Sequence, residues 1–544
     1  MENWTVRHAL AAAVARGPAR PFLQVVDGPL VSYGEISDLA HRVARGLRDL
    51  VGLRKGDLVM TMLPNGLEVI AAWLGCGVLG AIEVCLNTSY RGGPLVHAVN
   101  ACGARVLVLS SEALPAAAEV SSQLRALTHL VVVGAVANMS ERLAGLTILP
   151  WEALLAEAPA HNSLEDLHGR DLAAILYTSG TTGSAKPVLL THAQNYLTAH
   201  KTRDCVEIGD SDVSYCFHPM FHMAGKFMAA YGSLLAGSKL VLDRRFVPEA
   251  WISRVREFGA TIGYGHGPML EMIHAVPPTG DDANHKMTRV LAAPFPRRIA
   301  KDFERRFGVR GLECWGMTEI GIVTWPGMHE KPPFGSCGRV DRSLFDLRIV
   351  DPETDEELPV GQAGEMVVRA QRPWILFQGY LGMPDATLRA WRNGWFHTGD
   401  TGRIDADGYV HFVDRVTDKI RRRAENIASY DIESAAGAHP AIAEAAAVGV
   451  PSGFEGDDDI KLSIVLRAGA ELAPAELIEF LAAELPHHMV PRYVERLKAL
   501  PRSPTNKVRK AELRASGIGP GAWDRKVAGM SLREVFGKVS GKCG

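Results

Sequence analysis

The alternation of helical and strand-like apolar patterns is the feature that most constrains how this chain folds. Between residues 33 and about 155, a helical pattern such as that at 33–50 alternates with short apolar runs such as that at 106–109. The same alternation continues from residue 173 to about residue 307. Strands separated by helices of this length are joined by crossover connections, so the pattern predicts an α/β fold of layered, doubly wound subdomains.

The pattern changes after residue 344. Short apolar runs separated by acidic and glycine turns follow, as at residues 405–408, and they predict a β-rich antiparallel subdomain. Residues 417–544 carry helix and strand signals of their own, including an alanine-rich stretch at 435–447 that favours helix. We therefore expect a large N-terminal domain of residues 1–416 and a small α+β C-terminal domain of residues 417–544.

Composition and charge exclude several classes of protein. The content of 47% hydrophobic and 22% charged residues is that of a globular chain. A formal net charge of −2 gives no overall field that would recruit nucleic acid or an anionic membrane. The eight cysteines form no CxxC pair or dense framework, which fits a reducing cytoplasm. No apolar run reaches the roughly 18 to 20 residues of a membrane span, and no signal-peptide cleavage pattern follows the first apolar patch.

The strongest local signal is a loop rich in glycine and hydroxyl side chains that directly follows the apolar run at residues 172–176. Glycine-turn N–H groups, hydroxyl donors and one lysine suit a polyphosphate. The spacing is not that of a Walker A loop, and taken alone the stretch also fits a flexible surface turn. The residues assigned to the phosphates are Thr178, Ser179, Gly180, Thr181, Thr182, Gly183 and Lys186.

Further motifs follow in a fixed order along the chain. They are Leu63-Pro64-Asn65, Asn87-Thr88-Ser89-Tyr90-Arg91, His218-Pro219-Met220-Phe221-His222, Trp315-Gly316-Met317-Thr318-Glu319, Gly364-Glu365, Gly379-Tyr380, Trp395-Phe396-His397-Thr398-Gly399-Asp400, Asp414-Arg415, and Pro501-Arg502 leading to Lys507. With these motifs the chain resembles, over nearly its whole length, the adenylate-forming superfamily of acyl-CoA synthetases, luciferases and peptide-synthetase adenylation domains.

The resemblance implies a two-step reaction. The oxygen of a small-molecule carboxylic acid attacks the α-phosphate of ATP, pyrophosphate leaves, and a nucleophile then intercepts the acyl-AMP. The motifs are closest to those of AMP-dependent acid:CoA ligases, so the expected cofactors are ATP and Mg²⁺, with CoA as co-substrate. A homodimer is compatible with the sequence. The resemblance also implies that the C-terminal domain is mobile, with a hinge near Thr417.

The resemblance assigns roles to several nucleotide-site residues. Glu319 would hold Mg²⁺ and Thr318 would bond the α-phosphate, although a Thr-Glu pair alone is most often a helix cap. Asp400 would accept the ribose hydroxyls and Arg415 would add a cationic contact. The residues expected around adenine are Ala293, Pro294, Trp315, Gly316 and Met317.

The acid and the reaction centre are assigned in the same way. Lys507 would orient the carboxylate and stabilise charge in the transition state, and His222 would gate the incoming acid. The expected pocket walls are Phe221, Met223, Lys226, Phe227, Tyr264 and His266. Because this set contains Lys226, His266 and several aromatic rings, it favours a compact polar or aromatic acid over a long fatty chain.

Three positions depart from the family pattern. Pro187 stands where a glycine usually follows the loop lysine, Thr417 occupies the hinge position, and Ala424 replaces a glycine of the loop that approaches the pantetheine channel.

The departures at Pro187 and Ala424 keep an acceptor other than CoA open, namely an amine, a carrier protein, or an arylamine diazotised with ATP-activated nitrite. A nucleotide-binding sensor without turnover is the alternative from another class. The retention of Lys186, Glu319, Asp400 and Lys507 argues against it.

Overall fold

The computed structural model describes residues 2–135, 143, 145–156, 164–178, 185–415, 420–422, 425–427, 429–452, 458–503, 508–533 and 535. The chain divides into two compact units. The first comprises Met1–Leu347 and Val368–Phe396, and the second comprises Arg348–Val367 and His397–Gly544. The expected boundary between residues 416 and 417, with its hinge at Thr417, lies outside the described residues and stays a prediction.

The first part of the chain builds a seven-stranded sheet. Its elements are α1 (Val6–Arg16), β1 (Pro21–Val25), β2 (Leu30–Ser32), α2 (Tyr33–Asp49), β3 (Leu58–Met62), α3 (Leu67–Leu79), β4 (Ile82–Cys85), α4 (Gly92–Cys102), β5 (Val106–Ser110), α5 (Leu114–Val120), β6 (His129–Val133), β7 (Thr147–Pro150), α6 (Trp151–Ala156), β8 (Leu172–Thr178) and β9 (Lys186–Thr191). The strand order is β7-β6-β5-β3-β4-β8-β9, parallel except for β9, which runs antiparallel to β8.

A second seven-stranded sheet follows. Its elements are α7 (His192–Cys205), β10 (Val213–Cys216), a π-helical segment (Ala224–Ala230), α8 (Tyr231–Ala236), β11 (Lys239–Leu242), α9 (Trp251–Phe258), β12 (Ile262–Gly265), α10 (Gly267–Ala275), β13 (Arg289–Ala292), α11 (Ala300–Phe307) and β14 (Arg310–Glu313). The order is β14-β13-β12-β10-β11-β1-β2, so the first two strands of the chain join this later sheet. Ligands of such sheets bind beyond the carboxyl ends of the parallel strands.

Local signals set several boundaries in this layer. The helix α2 begins with a capping box, since the Ser32 hydroxyl accepts from the Glu35 N–H and the Glu35 carboxylate accepts from the Ser32 N–H. The helix α3 ends at Gly80, whose φ of 82° lies in the region that favours glycine. Apolar side chains of β3 to β8 and of α4 and α5 fill a shared core. The predicted layered α/β architecture is confirmed.

The β-rich part contains antiparallel strand pairs, as predicted. Its elements are β15 (Trp315–Met317), β16 (Gly321–Trp325), β17 (Arg339–Val340), β18 (Phe345–Val350), β19 (Gly364–Ala370), α12 (Pro384–Ala390), β20 (Trp391–Arg392), β21 (Trp395–Ile404) and β22 (Val410–Arg415). One sheet has the order β15-β16-β17, and the other has the order β18-β19-β21-β20 with β22 paired to β21. The turn between β21 and β22 is held by Asp405, whose carboxylate accepts from the backbone of Asp407 and Tyr409.

The C-terminal part is the expected α+β structure. Its elements are β23 (Ile420–Arg422), β24 (Glu425–Ile427), α13 (Ser429–Gly437), β25 (Ile442–Pro451), β26 (Asp458–Leu466), α14 (Pro474–Glu484), β27 (Tyr493–Arg496), α15 (Lys510–Ala515) and β28 (Trp523–Asp524). The order β25-β26-β27-β28 forms one sheet. A short 3₁₀ turn lies in this part at His487–Met489, and two others lie earlier in the chain, at Ser121–Gln123 and Pro248–Ala250.

The alanine-rich stretch at residues 435–447 is not one helix, so helix propensity was a wrong guide there. The helix α13 ends at Gly437, Pro440 follows, and the later alanines belong to β25. Proline cannot continue the helix, and Ala446 and Ala447 are fully buried in a strand that pairs with β26. Tertiary pairing therefore overrides the helix preference of alanine. Among the described residues, no helix is both long enough and apolar enough to cross a bilayer.

Candidate active site

The two ends of the glycine-rich loop are neighbouring residues of a strand pair. Thr178 ends β8, Lys186 begins β9, and the two are paired across the antiparallel ladder. Lys186 therefore stands at the exit of the loop, beside the residue that precedes it. The residues between them, Ser179, Gly180, Thr181, Thr182 and Gly183, lie outside the described part of the chain, and their phosphate role stays a prediction.

The other edge of β9 is held by the segment that carries Tyr380. Leu189 N–H donates to the Gly379 carbonyl at 3.0 Å, and Leu381 N–H donates to the Pro187 carbonyl at 2.9 Å. In a strand, the N–H and the C=O of one residue point to the same side. The Pro187 carbonyl accepts from Leu381, but Pro187 has no N–H with which to donate a further hydrogen bond to the Tyr380 segment. The ladder ends at Pro187, next to Lys186, and the strand accommodates this departure from the family pattern.

The turn that carries Thr318 and Glu319 is fixed by bonds to its backbone. The Gln194 side-chain amide donates to both carbonyls at 3.0 Å, and Phe377 N–H donates to the Glu319 carbonyl at 2.9 Å. Gly316, two residues earlier, admits no side chain, since a Cβ there would lie 2.0 Å from the Gly321 carbonyl oxygen. The Glu319 carboxylate is thus presented by a rigid turn.

Tyr380 brings the predicted metal ligand and the predicted phosphate lysine to one side chain. Its hydroxyl donates to Glu319 Oε1 at 3.0 Å, and both side chains are buried. Lys186 Nζ lies 5.0 Å from the centre of the Tyr380 ring. Sequence reasoning placed Tyr380 in a motif without giving it a function. Its position in the Gly379-Tyr380 motif was the only signal that marked it.

The residues expected around adenine lie at the carboxyl ends of β13 and β14. Ala292 pairs with Glu313, and Cys314 N–H donates to the Ala292 carbonyl at 3.0 Å. The segments that follow carry Ala293 and Pro294, joined by a cis peptide bond, and Trp315, Gly316 and Met317 of β15. The structure therefore brings these five residues to one edge of the second sheet.

Glu313 lies between these segments and was not singled out from the sequence. Burial raises its pKa to about 8, while the nearby Arg297 guanidinium acts in the opposite direction. A glutamate is usually a surface residue, so nothing in the sequence indicated that Glu313 would be buried.

His222 lies two residues before the π-helical segment. Its N–H donates to the Pro219 carbonyl at 3.0 Å, and Lys226 N–H donates to the His222 carbonyl at 3.1 Å. Gly225 allows this close packing, since a Cβ there would lie 2.6 Å from the Pro219 carbonyl oxygen. Phe221, His222 and Met223 are half-buried, so the accessible end of the segment holds three of the residues predicted around the acid.

Lys226 is buried in the core rather than exposed at a surface. Its Nζ donates to the Glu83 carboxylate and lies 3.2 Å from Cys85 Sγ, while Thr61 Oγ1 donates to Glu83 Oε1 at 2.8 Å. The side chains of Lys226 and Glu83 are 1% and 0% exposed. Burial opposes the charge on Lys226, but Cys85 and Glu83 together raise its pKa. Sequence reasoning missed Glu83, because only the fold brings it to Lys226.

The remaining predicted pocket residues are buried beside the same sheet. Phe227 and Tyr264 are 1% and 2% exposed, and His266 occupies the N-cap position of α10, directly after β12. The rings of His266 and His218 lie 5.4 Å apart. Contact of these side chains with an acid stays a prediction.

Asp400 belongs to the second unit, in an organised turn of β21. Its N–H donates to the Thr398 hydroxyl, and Glu365 accepts from Gly399 N–H at 3.0 Å and bonds His397 Nδ1 at 2.9 Å. Asp400 itself is 4% exposed and pairs through the backbone with Arg415 of β22. The side chain of Arg415 lies outside the described atoms, so only its backbone position is known.

The loop that carries Lys507 is closed at its base. Arg502 and Val508 form an antiparallel bridge, and Arg509 N–H donates to the Pro501 carbonyl at 2.7 Å. A salt bridge of 2.8 Å joins Arg502 to Glu444. Lys507 and Ala424 lie outside the described residues, and the roles of both stay predictions.

Comparison with known proteins agrees with this geometry. The model of the AMP-binding enzyme family matches residues 10–381, and that of the AMP-binding enzyme C-terminal domain matches residues 431–507. A relative from Salmonella typhi, crotonobetaine/carnitine–CoA ligase, is 32% identical over 491 residues, which cover 89% of this chain and 93% of the relative.

Two solved structures share the fold. ATP-bound MatB from Rhodopseudomonas palustris has a TM-score of 0.81 at 26% identity, with coverage of 94% of this chain and 99% of that one. The anthranilate CoA ligase AuaEII, in complex with anthranoyl-AMP, has a TM-score of 0.85 at 23% identity, with coverage of 95% and 98%. The resemblance inferred from the motifs is confirmed, and this chain belongs to the AMP-binding enzyme family.

Proposed function

We propose that this protein is an AMP-forming acid:CoA ligase, which activates a compact carboxylic acid with ATP and Mg²⁺ and transfers the acyl group to CoA. The observation that carries the proposal is the grouping of Lys186, Tyr380 and Glu319 beside the glycine-rich loop. A cation and a buried carboxylate at a phosphate-binding turn are what a nucleotide with bound metal requires. Family membership and the CoA-ligase names of the relatives support the same reaction.

The donor set at Glu319 fits Mg²⁺. Its carboxylate supplies the hard oxygen that this ion prefers, and Mg²⁺ is usually held by one or two carboxylates together with substrate phosphates. The described residues contain no group of three or more His, Cys, Asp or Glu side chains suited to a metal, which agrees with a site completed by the nucleotide. When bound, Mg²⁺ offsets the negative charge of the phosphates.

The first half-reaction forms acyl-AMP. A carboxylate oxygen of the acid attacks the α-phosphorus of ATP, the new P–O bond forms, and the bond to the β-phosphate oxygen breaks to release pyrophosphate. Lys186 and the loop N–H groups would hold the phosphates, Thr318 would bond the α-phosphate, and Lys507 would orient the carboxylate. These residues position groups and compensate charge, and none of them forms a covalent bond.

The second half-reaction forms the thioester. The CoA sulfur attacks the acyl carbonyl carbon, the C–S bond forms, the C–O bond to AMP breaks, and the thiol proton is lost to solvent or base. Pro187, one of the two departures that keep a different acceptor open, is accommodated in β9. The other, Ala424, is left for experiment.

The acid is expected to be compact. Phe221, His222 and Met223 are half-buried and Phe227, four residues after Met223, is buried; aromatic side chains of this kind suit a compact acid. The charge of Lys226 is balanced by Glu83, so Lys226 provides no reason to expect a second anionic group on the acid. This narrows the sequence-based prediction toward a compact aromatic or weakly polar acid.

The test is ATP–pyrophosphate exchange with crotonobetaine, carnitine, benzoate, anthranilate and palmitate, followed by CoA consumption with each acid that supports exchange. The proposal predicts exchange with at least one compact acid, none with palmitate, and one CoA consumed per AMP formed. Exchange without CoA consumption would overturn the choice of acceptor. The absence of exchange with every acid tested would overturn the adenylation proposal.

A further inference from the structure

We infer that Tyr380 is a positioning residue of the metal and phosphate site, which sets the Glu319 carboxylate for the metal and the Lys186 ammonium for the phosphates. The inference rests on the proposed function, since both partners are assigned through it. It extends that function to a residue with no assigned role and explains how two distant motifs act on one nucleotide.

The hydroxyl of Tyr380 fixes the orientation of Glu319. It donates to Oε1 at 3.0 Å, and the exposed fractions of the two side chains are only 7% and 3%. The backbone of Glu319 is already held by Gln194 and Phe377. With the backbone and one carboxylate oxygen both bonded, the rotamer of Glu319 is set before a metal arrives, which lowers the entropic cost of binding.

The ring of Tyr380 places the lysine. Lys186 Nζ lies 5.0 Å from the ring centre, within the range of a cation–π contact. The ring thus holds the ammonium at the exit of the glycine-rich loop. One side chain contacts the cation through its face and the carboxylate through its hydroxyl.

Tyr380 is itself rigidly held. Its N–H donates to the Thr387 hydroxyl at 2.9 Å, and it forms a bridge with Val188 of β9. Gly379 before it has a φ of 122°, which favours glycine. The segment that sets Tyr380 is therefore hydrogen-bonded to the strand that carries Lys186, so the two move as one element.

The test compares Tyr380→Phe with Tyr215→Phe. The first change removes the hydroxyl and keeps the ring beside Lys186. The second removes another buried phenol, which donates at 2.8 Å to the carboxylate of Asp243, a residue to which no role with the metal or the phosphates is assigned. We expect Tyr380→Phe to raise the Mg²⁺ concentration for half-maximal exchange about tenfold, the scale for one hydrogen bond to a charged group, and Tyr215→Phe to leave it unchanged.

A readout independent of turnover accompanies the exchange assay. The melting temperature is measured with ATP and Mg²⁺ and again with ATP and EDTA. The difference between the two should be smaller in Tyr380→Phe than in the wild-type protein and unchanged in Tyr215→Phe. In a Glu319→Gln background, Tyr380→Phe should add little to the Mg²⁺ requirement, because the hydroxyl acts through that carboxylate. If Tyr380→Phe is not folded, Thr387→Val, which removes the anchor of the Tyr380 N–H, should raise the Mg²⁺ requirement in the same direction.

Three results would overturn the inference. The first is an unchanged Mg²⁺ requirement in folded Tyr380→Phe. The second is an increase in the Mg²⁺ requirement on Tyr380→Phe that is as large in the Glu319→Gln background as in the wild-type protein. The third is an unchanged Mg²⁺ requirement in folded Thr387→Val. Failure of the proposed function itself is distinguishable, because the wild-type protein would then support no exchange with any acid.

Discussion

Replacement of Lys226 by methionine distinguishes a core ion pair from a contact with the acid. The change keeps the length of the side chain and removes its charge, which leaves the Glu83 carboxylate buried without its cation. Because both side chains are essentially inaccessible to solvent, water provides no compensation. Breaking such a pair from one side costs roughly 3 to 5 kcal/mol, so we expect Lys226→Met to lower the free energy of unfolding by that amount.

The double variant gives the coupling between the two charges. Glu83→Gln together with Lys226→Met removes both charges while Thr61 can still donate to residue 83, so it should be less destabilised than Lys226→Met alone. Lys55→Met provides a matched control, since Lys55 pairs with Asp171 at 2.8 Å with side chains 24% and 22% exposed. That change should cost less than about 1 kcal/mol.

Urea unfolding followed by tryptophan fluorescence measures all of these variants. The reasoning would be refuted if Lys226→Met lowered the free energy of unfolding no more than Lys55→Met does. It would also be refuted if the double variant lost an amount equal to the sum of the losses in Glu83→Gln and Lys226→Met. A stable Lys226→Met protein with altered acid preference would instead support the sequence-based prediction that Lys226 lines the pocket.

Three further predictions concern residues of the assigned site. Lys507→Ala should leave the melting temperature unchanged and lower exchange by roughly 10² to 10³, the scale for loss of one preorganised electrostatic donor; wild-type exchange would remove Lys507 from the site. Ala424→Gly should preserve exchange and maintain or raise thioester formation, whereas a loss of CoA consumption would contradict the channel assignment. Glu313 has a pKa raised from 4.5 to about 8, so the folded state keeps a proton that the unfolded state releases, and stability should fall as pH rises across that interval; urea unfolding of Glu313→Gln should show a flatter pH profile, and an unchanged slope would contradict it.

Local pattern was enough to place many elements. The helical pattern at residues 33–50 and the strand-like run at residues 106–109 match α2 (Tyr33–Asp49) and β5 (Val106–Ser110) to within one residue. Glycines and apolar periodicity mark such segments because the preferences act within a few residues. Strand order is set by contacts between residues far apart, and nothing in the sequence of β1 indicates that its neighbour is β11.

The same distinction applies to the site. Motif order was sufficient to assign Glu319 and Lys186, since each stands in a recognisable local pattern. Tyr380 and Glu83 were given no function, because their roles depend on partners 61 and 143 residues away in the chain. Lys226 was assigned to the pocket from its position near His222, and only the folded core reveals its partner in Glu83.

Transfer of oxygen from the acid to AMP tests the central claim most directly. The purified protein would be incubated with ATP, Mg²⁺, CoA and an acid that supports exchange, labelled with ¹⁸O in its carboxylate. Mass spectrometry would then measure the ¹⁸O content of AMP and pyrophosphate. Attack of the carboxylate on the α-phosphorus, followed by cleavage of the acyl C–O bond, predicts one ¹⁸O atom in AMP for each thioester formed and none in pyrophosphate. Label in inorganic phosphate, or AMP without label, would contradict an acyl-AMP intermediate.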